Sequence, residues 1–233
     1  MYKPDVVSRL ESEAPVLQVA LDYTDLGDAL GLAARLRGSL EGLWLAEAGT
    51  PLIKSEGLRS ITLLSRVVSP NPVVADMKTA DTGALEAGLA ARAGASVTTV
   101  LACSLDETIA EAAREAHRYG AALAADLIAV RNPVERAEQL ASLGVDIVEV
   151  HVGIDAQRAL GMTAADLREA VRRIAERFPG LVAVAGGLNE KTAPAMVEAG
   201  ASIIVVGGAI TRSSDPAASA RRIIEAVRRA SRG

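Results

Sequence analysis

The sequence predicts a single (β/α)8 barrel, and three observations carry that prediction. Eight short apolar runs alternate with eight stretches of helical period, the order that builds a parallel sheet covered by helices. Gly94, Gly120, Gly144 and Gly200 each stand between a helical stretch and the next apolar run, where glycine ends a helix because it tolerates positive φ. The string A-G-A-S recurs at 93–96 and 199–202, the mark of a repeated βα unit. A doubly wound open sheet would also alternate strands and helices. It is disfavoured because no G-x-G-x-x-G follows the first run.

The elements follow in order. VLQVALD at 16–22 is the first strand, and 25–37 its helix. The second strand covers 43–47, then a loop, AGTP, and a helix near 58–65. The third covers 72–78, with a helix from 83 to 93. Strands at 96–102 and 121–128 are followed by helices at 105–119 and 133–143. Strand 146–152 precedes helix 164–177, and strand 181–186 precedes helix 190–199. Strand 202–207 and helix 217–229 close the series. Residues 1–15 form an N-terminal arm or helix, and 16–233 a single barrel domain with no linker or low-complexity segment.

Half of the 233 residues are hydrophobic, yet aromatics are limited to one Trp, three Tyr and one Phe. Ala, Val, Leu and Ile must therefore fill the core, which suits aliphatic parallel strands under Ala-rich helices. The net charge of −4 and the lack of a basic cluster outside the C-terminal helix argue against nucleic acid. A phosphorylated ligand remains compatible, because backbone N–H groups bind phosphate locally. Cys103 is alone, so there is no internal disulfide and no cysteine zinc site. With no signal-like N-terminus and no membrane-length apolar run, the expectation is a soluble, cytoplasmic protein that does not engage a membrane.

In a barrel the C-terminal ends of the strands converge on one site. The first ends in Asp22, the second in Glu47, and the third carries Asp76 and Lys78, with Asp81 just beyond. Side chains two apart share a face of a strand, so Asp76 and Lys78 project together. Read by themselves they are either an active acid–base pair or a structural ion pair, with Asp81 capping the next helix. The fourth strand ends in Leu101 and Ala102 and is uninformative; the fifth carries Asp126, and the sixth Glu149 and His151. Gly186-Gly187 and Gly207-Gly208 end the seventh and eighth. Each glycine pair alone reads as a tight turn, but two at adjacent strand ends favour a phosphate cradle. Glu47 and Asp76 offer the hard oxygen ligands that Mg²⁺ prefers. Lys78 suits oxyanion stabilisation, and His151 suits proton transfer near neutral pH. Glu149 shares His151's face and reads mainly as a structural partner of Lys78. Asp155 and Gln157 fall in a loop, and His117 on a polar helix surface.

These residues resemble the orotidine 5′-monophosphate decarboxylase suprafamily, whose mark is D-x-K-x-x-D at the third strand, here Asp76, Lys78 and Asp81. Within it the chain looks most like the hexulose-phosphate synthases, through LQVALD (17–22), E-A-G-T-P-L-I (47–53), ADMKTADTG (75–83), HVGIDAQ (151–157), VAVAGGLN (182–189) and VVGGAIT (205–211). The resemblance implies a Mg²⁺-dependent aldolase that joins formaldehyde to a sugar phosphate, D-ribulose 5-phosphate. It implies Glu47 and Asp76 as metal ligands and Lys78 at an enediolate. Asp22 would bind substrate hydroxyls and pair with Lys78. Asp126 and His151 would handle substrate and protons. Thr50 would bind substrate, and Gly186, Gly187, Gly207 and Gly208 would cradle the phosphate. Asp81 would reach into a second subunit of a homodimer. Related decarboxylases of 3-keto-L-gulonate 6-phosphate carry Arg where this chain has Ile154, and Glu where it has Asp126. Both departures favour the aldolase over the decarboxylase, which stands as the alternative.

Overall fold

A computed structural model describes residues 3–232. Among them, α1 (Asp5–Glu13) precedes β1 (Val16–Leu21), α2 (Leu26–Ser39), β2 (Trp44–Ala48), α3 (Thr50–Glu56), α4 (Arg59–Val68) and β3 (Val73–Thr79). Then come α5 (Gly83–Arg92), β4 (Val97–Leu101), α6 (Asp106–Arg118), β5 (Ala122–Asp126), α7 (Pro133–Ser142) and β6 (Ile147–His151). After α8 (Ile154–Leu160) and a 3-10 turn (Ala164–Leu167) follow α9 (Arg168–Arg177), β7 (Leu181–Ala185), α10 (Ala193–Glu198), β8 (Ile203–Val206), α11 (Gly208–Thr211) and α12 (Pro216–Ala230). The eight strands close in sequence order, every neighbour parallel, with β1 paired to both β2 and β8. The barrel read from the sequence is the fold.

Strand alternation divides the core in two. Leu17, Val19 and Leu21 of β1 face outward and pack with the surrounding helices, as do Ala46, Ala48, Val148 and Val150. The alternate residues face the barrel axis, where Val16, Leu45, Val74, Val97, Ala122, Ile147, Leu181 and Ile203 form the lower layer. Val6, Val7 and Leu10 of α1 join this inner cluster, so the residues before β1 form a helix that closes the lower end of the barrel. The inward columns of β2, β3, β5 and β6 thus start apolar at the bottom and turn polar at the top, whereas those of β7 and β8 stay apolar. Local chemistry fixes the connections. Asp25 caps α2 by accepting from Asp28 N at 3.0 Å, and Asp215 caps α12 by accepting from Ala218 N at 3.0 Å. Gly200 ends α10 at φ 101°, a conformation that a side chain would strain.

The connections differ from the sequence reading in places. The AGTP segment and the loop with Asp155 and Gln157 hold short helices, α3 and α8, and α11 follows β8 directly. The helix expected over 164–177 is divided between the 3-10 turn and α9, and the one expected from 190 begins at Ala193. His117 is not a free surface residue: its Nε2 lies 2.7 Å from Asp146 Oδ2, which also accepts from Leu123 N at 2.8 Å. It fastens α6 to the start of β6.

Candidate active site

The polar upper layer of the barrel is built around Lys78. Pairing between β3 and β4 shifts register between Ala75 and Thr79, and Lys78 itself sits at φ 46°. A left-handed non-glycine residue costs on the order of 1–3 kcal/mol and persists where its surroundings over-determine it. Here they do. Lys78 N donates to Thr99 Oγ1 at 2.9 Å, and that hydroxyl donates to Asp76 Oδ1 at 2.9 Å. Lys78 Nζ lies 3.0 and 2.9 Å from the two oxygens of Asp76 and 2.8 Å from Asp126 Oδ2. The two side chains project together, as strand spacing requires. The capping alternative for Asp81 fails. Thr82 precedes α5 without a side-chain cap bond, and Asp81 is exposed with no partner among the described residues.

The neighbouring strands complete the layer. Asp126, at the end of β5, accepts from Ile128 N at 2.8 Å through Oδ1. Its Oδ2 lies 2.9 Å from His151 Nδ1, and Glu149 Oε1 is 3.4 Å from the same nitrogen. Glu149 therefore neighbours His151, and no ion pair with Lys78 forms. Lys78 likewise pairs with Asp76 and Asp126, not with Asp22. Asp22 lies just past β1 between two glycines: a Cβ on Gly49 would meet its Oδ1 at 2.1 Å, and one on Gly207 its Oδ2 at 3.5 Å. Thr50 Oγ1, at the start of α3, lies 2.7 Å from Asp76 Oδ2 and 2.8 Å from Asp76 O, so it orients that carboxylate. Glu47 is buried on β2 and accepts from Gln18 Nε2 at 2.8 Å.

Crowded acids set the electrostatics. Burial, then Asp76 and Asp22, push the Glu47 carboxyl up to about 8, against Gln18 and Lys78. Burial, then Asp126, Glu47 and Asp76, hold Glu149 well above the usual carboxylate range. Burial and Asp76 likewise raise Asp22. Asp126 goes the other way: burial would raise it, but the His151 hydrogen bond and charge, with Lys78, outweigh burial and lower it. Burial works against the Lys78 ammonium, yet Asp76, Asp126 and Glu149 more than offset it and raise its pKa. An ammonium so held is an electrostatic group and not a nucleophile.

This donor set fits a divalent cation. Glu47 and Asp76 stand on adjacent strands in a site with more carboxylates than cations, and burial with those neighbouring acids, more than Lys78 offsets, raises the Glu47 pKa. Among the described residues, Asp126, Glu149 and His151 also bring ligand atoms within 4.8 Å of one another. Lys78 contacts both Asp76 and Asp126, so its ammonium stands between the two candidate carboxylate groups.

The glycines lie on the last two strands. Gly186 has φ 119°, and its Cβ would fall 2.5 Å from Val152 O, so no side chain fits there. Gly187 backs onto Gln157 and Thr163, and Gly207 and Gly208 lead into α11. Gln157 Nε2 donates to Val152 O at 2.8 Å and so holds α8 over this turn. Gln18 and Thr99 were absent from the sequence-derived set. Both are buried polar residues in apolar strands, the one signal that marked them.

A family model described as orotidine 5′-phosphate decarboxylase / HUMPS family matches residues 15–223. The chain is 39% identical over 211 residues to a 3-hexulose-6-phosphate synthase of Mycobacterium gastri, covering 91% of this chain and 99% of that one. A Staphylococcus epidermidis protein of the same name is 33% identical over 211 residues, covering 91% and 98%. The crystal structure of 3-hexulose-6-phosphate synthase from Salmonella typhimurium is similar at TM-score 0.85 and 31% identity, over 92% of this chain and 99% of that one. These relatives are enzymes, and no helix among the described residues is long and apolar enough to cross a membrane. Matched over most of its length by the family model and by these relatives, the chain belongs to the orotidine 5′-phosphate decarboxylase / HUMPS family.

Proposed function

We propose that the chain is a lyase that catalyses the 3-hexulose-6-phosphate synthase reaction, interconverting D-ribulose 5-phosphate plus formaldehyde with D-arabino-hex-3-ulose 6-phosphate. The observation that carries this reading is the shared Asp126 oxygen, which holds a fixed ammonium and a histidine at one barrel mouth. Mg²⁺, held by Glu47 and Asp76, would supply Lewis-acid polarisation of the substrate ketone.

The chain's own residues account for the proton and charge movements. Asp126 accepts a hydrogen bond from His151 Nδ1–H, which leaves the Nε2 lone pair free to remove a proton from C1 of the sugar. Lys78 lies where negative charge develops as that proton leaves, and it cannot release its own proton into the reaction. C1 then forms a bond to the formaldehyde carbon. The former formaldehyde oxygen takes the proton back from His151, so no proton is gained or lost. Asp22, between the glycines of two strands, faces the substrate hydroxyls. Thr50 keeps Asp76 aligned, and Gly186, Gly187, Gly207 and Gly208 receive the phosphate through backbone N–H groups.

The proposal includes a homodimer in which Asp81 serves the partner's site. Asp81 is exposed and unpaired at the barrel mouth, and Leu85 and Leu105, 59% and 73% exposed, stand on the same end. It also includes a cytoplasmic location, in which the exposed Cys103 thiol stays reduced. The test is consumption of formaldehyde with ribulose 5-phosphate, with Mg²⁺ and then with EDTA. Consumption that EDTA abolishes is the expected result. No consumption by folded, dimeric protein would move the reaction to decarboxylation, with 3-keto-L-gulonate 6-phosphate as the next substrate.

A further inference from the structure

Arg212 follows α11 directly, and its side chain turns back along that short helix. A Cβ built on Gly208 would lie 2.1 Å from Nη2, 2.4 Å from Cζ and 2.6 Å from Nη1 of Arg212. The guanidinium therefore fills the space that a side chain at 208 would take. Residues four apart on a helix face one another, so a missing Cβ at one position seats the long side chain from the other.

The seat holds no acid. The exposed arginines Arg168, Arg172, Arg177 and Arg222 each reach a glutamate. Beyond the backbone bond from Arg212 N to Gly208 O at 3.2 Å, the Arg212 side chain has no hydrogen bond or ion pair among the described residues, although it is exposed. It lies over bare backbone next to Gly207, whose own Cβ would face Asp22 Oδ2. A free guanidinium thus stands at the edge of the active site, beside the glycine turns and one residue from a substrate-facing carboxylate. A dianion approaching this barrel mouth meets acidic side chains, Asp126 with its lowered pKa among them, and backbone N–H groups alone carry only partial charge. A planar guanidinium offers a full charge and two parallel donors to phosphate oxygens.

We propose that Arg212 is a substrate-binding residue whose guanidinium, seated over Gly208, pairs with the phosphate of the sugar phosphate. The inference rests on the substrate class proposed above. Gly208 and Arg212 then act as one device: the glycine makes room, and the arginine one turn later supplies the charge.

The test compares wild type with Arg212→Ala and Arg212→Gln. Three readouts are used: steady-state kinetics, calorimetric binding of inorganic phosphate, and thermal stability. Loss of charged hydrogen bonds to one group should raise the KM for ribulose 5-phosphate about ten- to a hundredfold. Phosphate binding should weaken by a similar factor, with the KM for formaldehyde and the melting temperature little changed. Added guanidinium ion should restore part of the lost activity in Arg212→Ala, which a purely structural role would not allow. Unchanged KM and unchanged phosphate affinity in both variants would overturn the proposal, as would wild type failing to bind phosphate. If wild type proves inactive with formaldehyde while the variants still lose phosphate affinity, the reaction assigned above falls and the role of Arg212 stands.

Discussion

Lys78 and His151 share one oxygen: Asp126 Oδ2 lies 2.8 Å from Lys78 Nζ and 2.9 Å from His151 Nδ1. One carboxylate therefore fixes both the charge that faces a developing anion and the tautomer of the base that creates it. Burial alone would raise Asp126, but these two partners keep it below its ordinary range. The carboxylate stays ionised throughout the neutral range, as both tasks require.

Asp126→Asn should retain shape and lose this control. An amide can donate to Nδ1 and turn the imidazole to the wrong tautomer, while Lys78 loses one of its two anchors. A fall in kcat of about 10²- to 10⁴-fold is expected, with phosphate affinity within a few-fold of wild type. A variant with normal kcat would remove His151 from the proton-transfer role.

Asp76→Ala should abolish turnover in a protein that still folds. Asp76 gathers Thr50, Thr99 and the ammonium of Lys78, and through Thr99 it also reaches the Lys78 backbone N–H. Its loss strands the ammonium on Asp126 and removes a proposed Mg²⁺ ligand. Circular dichroism checks the fold, and the formaldehyde assay checks turnover. Full activity in the variant would refute the metal role.

Glu47 links metal binding to pH. Burial first, then Asp76 and Asp22, raise its pKa in the folded, metal-free chain from 4.5 to about 8. A raised folded pKa means that the group's contribution to stability is complete below 4.5 and is lost as pH rises through about 8. Mg²⁺ needs the carboxylate, so binding should expel about one proton per ion at neutral pH. Calorimetry in two buffers of different ionisation enthalpy measures that release. The rise in melting temperature on adding Mg²⁺ should also be larger near the upper end of this window. Heats that do not depend on buffer would mean that no proton leaves Glu47 on binding; Glu47→Gln with unchanged Mg²⁺ affinity would exclude it as a ligand.

The site was legible where strand alternation alone determines direction. Asp22, Glu47, Asp76, Asp126 and His151 all lie at or near the upper ends of inward columns that start apolar, so period and position sufficed. Gln18 and Thr99 were not legible, because each needs its partner to reveal a role: Gln18 reaches Glu47 on the next strand, and Thr99 reaches Asp76 across a register shift. The short helices α3, α8 and α11 are too brief to show a helical period, which hid the fold-back of Arg212 onto Gly208. His117 looked solvated among polar neighbours because its partner Asp146 lies 29 residues away.

The lower end of the barrel offers a separate test, because α1 lies outside the span that the family model matches. Leu10 is fully buried and, with Val6 and Val7, closes the inner apolar layer. Leu10→Ala leaves a cavity there and should cost about 2–5 kcal/mol of stability, read by denaturant unfolding. The chemistry sits at the opposite, C-terminal end of the strands, so kcat should stay near wild type below the melting temperature. Equal stability with reduced kcat would give the opposite picture. It would mean that the inner columns transmit the packing of α1 to Gln18 and Glu47 above it, and that the helix tunes the site as well as closing the barrel.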